Sequence, residues 1–142
     1  MKVEIKIPAT SANIGSGFDS LGLAVQMYNR VILEPWEGAE VISLDGVPVP
    51  TGENNLIYKT VKYLFDICGK PLSGLRIQQE NAIPMARGLG SSSACIVAGL
   101  MGGNVLLGSP LSREDIIHMA ATMEGHPDNS TPAILGGQVT AA

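Results

Sequence analysis

Residues 84–94 read Pro84-Met85-Ala86-Arg87-Gly88-Leu89-Gly90-Ser91-Ser92-Ser93-Ala94, and the organisation of the chain turns on what this stretch does. Glycines at 88 and 90 let a backbone turn tightly, and serine is among the residue types that open helices. Ile96, Val97, Leu100 and Met101 follow at helical spacing, so the pattern predicts a Gly-rich loop running into a helix over 91–107. At such a junction the free N–H groups and the helix dipole favour an anion. The three hydroxyls can meet phosphate oxygens or a phosphate-bound Mg²⁺, and Arg87 adds positive charge. A Ser N-cap on a buried helix behind a Gly turn explains the same residues. The loop is not a Walker A sequence, because no Gly-Lys-Ser/Thr follows. Nor is it a dinucleotide fingerprint, because Ser93 stands where the third Gly belongs.

On either side the periodicity alternates between strand and helix. Val3, Ile5 and Ile7 alternate with Lys2, Glu4 and Lys6, a half-buried strand ending at Pro8. Residues 10–22 form a polar, Gly-rich loop, 23–34 a longer strand and 39–44 a short one after the Trp36-Glu37-Gly38 turn. Apolar residues at 57, 61, 64 and 65 predict a helix from Asn55 to Ile67, closed by Gly69-Lys70-Pro71. Strands over 74–80 and 133–140 bracket the helix at 91–107 and another at 112–123, opened by Ser112 with Glu114 and Asp115 in its first turn. The order predicts an α+β domain with helices packed on one face of a mostly antiparallel sheet.

Composition narrows the functional classes. Nine Lys and Arg against 13 Asp and Glu give a formal charge of −4, which argues against a nucleic-acid partner. From Gly88 to Ser112 there is no charged residue, and Gly99 and Gly103 have GxxxG spacing, so the run has the length of a membrane span. Six glycines, five serines and Asn104 interrupt it, so a small-residue helix buried in a protein core is the expectation, with no membrane contact. The two cysteines, Cys68 and Cys95, make no CxxC spacing and fit a reduced, cytoplasmic setting. His118 and His126 lie eight apart, which is no zinc spacing.

The Gly-rich stretch resembles the ATP loop Pro-x-x-x-Gly-Leu-Gly-Ser-Ser-Ala of the galactokinase, homoserine kinase, mevalonate kinase and phosphomevalonate kinase superfamily. Two further blocks, in the same order, are similar to the homoserine kinase branch. They are Pro8-Ala9-Thr10-Ser11-Ala12-Asn13-Ile14-Gly15-Ser16-Gly17-Phe18-Asp19 and Glu124-Gly125-His126-Pro127-Asp128-Asn129. The resemblance covers essentially the whole chain. It implies a fold like domain 2 of ribosomal protein S5, ATP and Mg²⁺ as cofactors, and L-homoserine as the substrate phosphorylated on its hydroxyl. Pro84, Arg87, Gly88, Leu89, Gly90, Ser91, Ser92, Ser93 and Ala94 would form the phosphate-binding loop, with Ser92 and Glu124 holding Mg²⁺. Asn54, Asn55, Leu56 and Ile57 match the segment bordering the adenine, and Asn13, Asp19 and Asn129 match positions that hold the amino-acid substrate. In the mevalonate kinase branch the position of Asn129 carries an aspartate proposed as base. Asparagine cannot take a proton, which favours the homoserine kinase branch.

The chain departs from that pattern in two places. Ser130-Thr131 precede Pro132-Ala133 where the family has a hydrophobic and a small residue. The Gly-rich third motif of the family's C-terminal half has no counterpart, so residues 1–142 are expected to be the N-terminal ATP-binding domain without its C-terminal partner. Three alternatives stand beside this reading: a related small-molecule kinase, a nucleotide-binding fragment or module without turnover, and an S5-like RNA-binding domain disfavoured by the charge. Homodimers are common in the family, which places a homodimer among the expectations.

Overall fold

Every second residue of the first strand is apolar, and the sheet is built on that alternation. The computed structural model describes residues 1–8, 28–46, 48–81, 89–125 and 134–141, with side chains at 81 and 89–92 left out of the description. Five strands are present among these: β1 (Val3–Pro8), β2 (Tyr28–Pro35), β3 (Gly38–Ser43), β4 (Gly74–Asn81) and β5 (Gln138–Ala141). Their order is β3-β4-β2-β1-β5, antiparallel except for the β3–β4 pair. Pairing puts Val3 opposite Leu33 and Leu33 opposite Ile77, while Ile5 faces Val31 and Val31 faces Gln79. These inward rows are buried, and Gln79 is the polar member among them.

The opposite face carries the charges. Arg30 reaches Glu4 at 3.0 Å and Glu80 at 3.9 Å, and Arg76 lies between Glu34 and Glu40 at 3.8 and 3.6 Å. Arg76 also stacks on Trp36, 4.9 Å from the ring centroid. Half-exposed pairs of this kind contribute about 1 kcal/mol or less each. They keep this face polar rather than holding the fold.

Three α-helices are present among the described residues: α1 (Leu56–Ile67) and α2 (Leu89–Leu106) lie on the inward face, and α3 (Arg113–Glu124) packs against α2. α1 is amphipathic and buries Ile57, Thr60, Val61 and Leu64. α2 is apolar all round, as a helix enclosed on several sides must be, and Val97, Ala98 and Leu100 are fully buried. Its small residues set the packing distances. A Cβ on Gly102 would stand 2.5 Å from Leu33 and 2.7 Å from Ile5, so this glycine lets α2 lie directly on the sheet. Gly99 abuts Thr60, and Gly103 abuts Leu64. The GxxxG spacing therefore joins α2 to α1, and among the described residues no helix is long and apolar enough to cross a membrane.

The α+β architecture and its mostly antiparallel sheet match the expectation from sequence. The differences are local. β2 is described from Tyr28, and residues 23–27 lie outside the described part. α2 begins at Leu89, inside the Gly-rich motif and two residues before the expected start. The last strand is shorter than 133–140: residues 134–136 make a helical turn in which Gly137 N–H bonds the Ile134 carbonyl at 3.2 Å. Ile134 is buried there, so its apolar character reports a core contact and not a strand face.

Candidate active site

The connection between α2 and α3 brings two distant motif blocks together. Asn104, nearly buried in α2, donates through Nδ2 to the Leu111 carbonyl and accepts from Leu111 N–H through Oδ1, both at 3.0 Å. Just beyond, Ser112 and Asp115 form a complete capping box that starts α3. Hydrogen bonds to the Ser112 backbone and side chain hold the Asp115 carboxyl below its ordinary pKa. α3 thus returns along α2. Ser93 lies thirteen residues before the end of α2 and Glu124 eleven after the start of α3, so both travel about 15–20 Å from the connection at 1.5 Å per residue.

They meet at that distance. Ser93 Oγ donates to Glu124 Oε2, and Ser93 is 2% exposed. Glu124 is the last residue of α3, which ends at Gly125 in the left-handed conformation, φ 85°, with its N–H on the Ala121 carbonyl at 2.8 Å. The second carboxylate oxygen, Oε1, is buried and has no partner among the described residues. No basic residue stands in the last turn of α3. A carboxylate is disfavoured at a helix C-terminus, and an unpaired buried acceptor costs about 1–3 kcal/mol, more when charged. A cation or a hydrogen-bond donor at Oε1 would offset both costs.

Gly99 against Ile57 and Thr60, followed by Gly103 against Val61 and Leu64, shows that α1 and α2 run parallel. Both helix N-termini consequently lie at one end of the helical layer, the end where Glu124 closes α3. Asn55 caps α1: its Oδ1 accepts from Ile57 N–H at 2.9 Å and Tyr58 N–H at 3.4 Å. Its Nδ2 donates to the Pro50 carbonyl at 2.9 Å and to Gln79 Oε1 at 2.8 Å. The amide is thus fully engaged inside the protein, and the side chain has no hydrogen left for a base. Ile57 is buried, Leu56 half-buried and Asn54 exposed. Beside this segment a cleft of about 290 Å³ is lined by Glu53, Tyr58, Lys59, Lys62, Tyr63 and Asp66.

Of the residues singled out in the sequence, the structure brings together Ser93 and Glu124, with Ala94 buried next to them. Leu89, Gly90, Ser91 and Ser92 fall in the first turn of α2, where their side chains are outside the description. Asn13, Asp19, Pro84, Arg87, Gly88 and Asn129 lie outside the described residues. Among the described residues no group of three or more His, Cys, Asp or Glu could hold a metal ion by itself. Sequence reading missed Gln79, whose polar side chain in an otherwise apolar row was the available signal. Ser93, expected in the phosphate-binding loop, donates its hydroxyl to the Glu124 carboxylate.

Comparison with known proteins agrees with this geometry. The model of the GHMP kinases N terminal domain matches residues 55–137. The chain is 51% identical over 138 residues to a homoserine kinase of Petrotoga mobilis, covering 95% of this chain and 45% of that protein. It is 48% identical over 141 residues to a homoserine kinase of Caldicellulosiruptor bescii, covering 98% and 46%. The crystal structure of homoserine kinase from Cytophaga hutchinsonii superposes with a TM-score of 0.69 at 26% identity, over 94% of this chain and 46% of that one. The chain spans about half the length of the curated relatives it matches. The shared fold is the arrangement of ribosomal protein S5 domain 2 expected from the sequence.

Proposed function

The chain belongs to the GHMP kinases, through their N-terminal domain, and on that premise we propose that it is the ATP-binding domain of a homoserine kinase. The reaction is transfer of the γ-phosphoryl group of ATP to the side-chain hydroxyl of L-homoserine, giving ADP and O-phospho-L-homoserine. Residues 1–142 serve in it as the N-terminal kinase domain. The observation that carries this reading is the Ser93–Glu124 hydrogen bond, which joins the Gly-rich block to the Glu-Gly-His-Pro-Asp-Asn block at a helix N-terminus. Similarity to homoserine kinases supports the choice of substrate.

The residues present fit Mg²⁺. Glu124 Oε1 is a hard oxygen donor, buried and without a partner among the described residues, which is the ligand type this cation selects. Glu124 and the Ser92 hydroxyl would hold it, and once bound it would supply positive charge to the β- and γ-phosphates. The chain's own groups then do the positioning. Backbone N–H groups from Gly88 to Ser91, at the positive end of α2, cradle the phosphates. Asp19 pairs with the α-ammonium group, Asn129 orients the attacking hydroxyl, and Asn13 helps to hold the amino acid. No general base is assigned, because placement and electrostatic stabilisation supply most of the rate in phosphoryl transfer.

The test is a calorimetric titration of the chain with Mg·ATP, with and without L-homoserine, together with an ADP-release assay across L-homoserine, mevalonate and shikimate. Saturable ATP binding with release specific to L-homoserine supports the reading. Binding without release leaves a nucleotide-binding module, and no ATP binding at all rejects the phosphate-loop assignment.

A further inference from the structure

Ser93 occupies the position where the motif of the family has Ala, so the motif itself gives its hydroxyl no role. The structure does. Ser93 is 2% exposed, and its Oγ donates to Glu124 Oε2, from the second turn of α2 to the last residue of α3. A serine hydroxyl has one proton to give, and here it is given to a carboxylate oxygen. That bond occupies one oxygen and leaves the other, Oε1, buried and without a partner among the described residues. It also fixes the rotation of a carboxylate that no basic side chain in the last turn of α3 restrains. We infer that Ser93 is a positioning residue: it holds Glu124 so that Oε1 is presented to the divalent cation of the Mg·ATP site, and it does not itself bind phosphate.

This rests on the reading of the chain as an ATP-binding kinase domain and adds to it a residue that acts through Glu124. Outer partners that orient a metal-ligating carboxylate typically change metal affinity by roughly tenfold to a hundredfold when removed. Because cation and nucleotide bind as a linked pair, that loss appears in ATP affinity only when the cation is present.

The test compares the wild-type chain with Ser93→Ala in three titrations: Mn²⁺ alone, followed by electron paramagnetic resonance; ATP in EDTA; and ATP with saturating Mg²⁺. The variant restores the alanine of the family motif and a good helix former, and its melting midpoint serves as the control for folding. The expected result is a tenfold or greater loss of Mn²⁺ affinity and of the Mg²⁺-dependent gain in ATP affinity, with ATP binding in EDTA unchanged. An equal loss of ATP affinity with and without Mg²⁺ makes Ser93 a phosphate ligand and overturns the inference. Unchanged Mn²⁺ affinity in the variant overturns it as well. If the wild type binds no ATP, the kinase reading fails separately, and the Mn²⁺ titration alone decides on Ser93.

Discussion

Gln79 Oε1 accepts a hydrogen bond from Asn55 Nδ2 at 2.8 Å, so a polar residue in an apolar row of the sheet is satisfied by the N-cap of a helix. Both side chains are almost fully buried, at 3% and 2% exposure. Neither could sit there alone, since a buried amide without partners is costly. The pair ties the start of α1 to β4, and the Asn55 bond to the Pro50 carbonyl ties the preceding loop to both.

Replacing Asn55 with Ala removes a helix cap worth about 1 kcal/mol and leaves two acceptors, Gln79 Oε1 and the Pro50 carbonyl, without their donor. Each buried orphan adds about 1 kcal/mol or more, so the expected loss of unfolding free energy is about 2–4 kcal/mol. Asn55→Asp keeps the cap acceptor and removes the donors, and falls between the two. Urea denaturation of the three proteins measures this, and equal stability of Asn55→Ala and wild type would reject the tie.

Gly99→Ala and Gly102→Ala look alike in the sequence and differ in the structure. At Gly102 the added Cβ meets the far ends of Leu33 and Ile5, which can shift. At Gly99 it meets Thr60 Cβ and Cγ2 at 2.7 Å, with the Ile57 carbonyl at 3.3 Å. Thr60 is fully buried and its hydroxyl is held by the Leu56 carbonyl at 2.8 Å, so it cannot swing aside. Gly99→Ala is expected to cost about 1–3 kcal/mol in spite of the better helix propensity of Ala, and Gly102→Ala less. Thermal melts of the two variants give the order directly.

These two cases mark how far the sequence could be read. Local signals placed the elements well: the alternation of Val3, Ile5 and Ile7 gave β1, and Ser112 with Asp115 gave the start of α3. Gly99 and Gly103 announced close helix packing, but the partner helix is a tertiary fact. The same holds at the site. The motifs singled out Ser93 and Glu124, while the bond between them depends on the length of α2, the Asn104–Leu111 clamp and the return of α3. Asn55 belongs to the segment expected to border the adenine, and what the sequence could not show is that its amide is held by partners 5 and 24 residues away. Ile134 reads as part of the last strand because a single buried residue in a turn imitates one in a strand.

Burial pushes the Cys95 thiol up to about 11 from 9.0. The folded state therefore holds this proton more tightly than the unfolded chain, which makes stability fall as pH rises from about 9 to 11. Below pH 9 the contribution is fully present. Cys95→Ala is expected to show a shallower decline over that window, with wild type and variant followed by denaturant titration at pH 8, 9 and 10. The native thiol should also resist iodoacetamide at pH 8 until denaturant is added. Equal slopes in the two proteins would exclude the effect.

Ser112→Ala removes the acceptor for Asp115 N–H at 3.1 Å and dismantles the capping box of α3. The expected cost is about 1 kcal/mol at neutral pH. The Asp115 pKa is lowered first by the Ser112 backbone N–H, which the variant keeps, and second by the Ser112 side chain, which it loses. Only that second part of the difference is present above the ordinary value of 3.8 and lost as pH falls through the depressed one. The gap between wild type and variant should narrow under acid without closing, because the Asp115 N–H bond to the Ser112 hydroxyl does not titrate. A difference that stays constant from pH 7 to pH 2 would show that the carboxylate takes no part.

Glu124→Gln separates what the site costs from what it does. In the folded chain Glu124 places a carboxylate at the C-terminus of α3, with Oε1 buried and without a partner among the described residues. The amide has nearly the same shape, still accepts from Ser93, and removes the negative charge that the helix dipole opposes. In EDTA the variant is therefore expected to be more stable than wild type by about 0.5–1 kcal/mol. Added Mg²⁺ and ATP should reverse that order. Ligand that binds the folded state stabilises wild type in proportion to the logarithm of its concentration over Kd, and the variant, lacking the hard anionic oxygen, gains much less. Melting midpoints of both proteins across a Mg·ATP titration would cross at one concentration. Parallel curves, with the variant gaining as much as wild type, would remove Glu124 from the cation site. A variant less stable than wild type even in EDTA would instead make the Ser93–Glu124 bond a net support of the fold, its carboxylate kept for stability and not for binding.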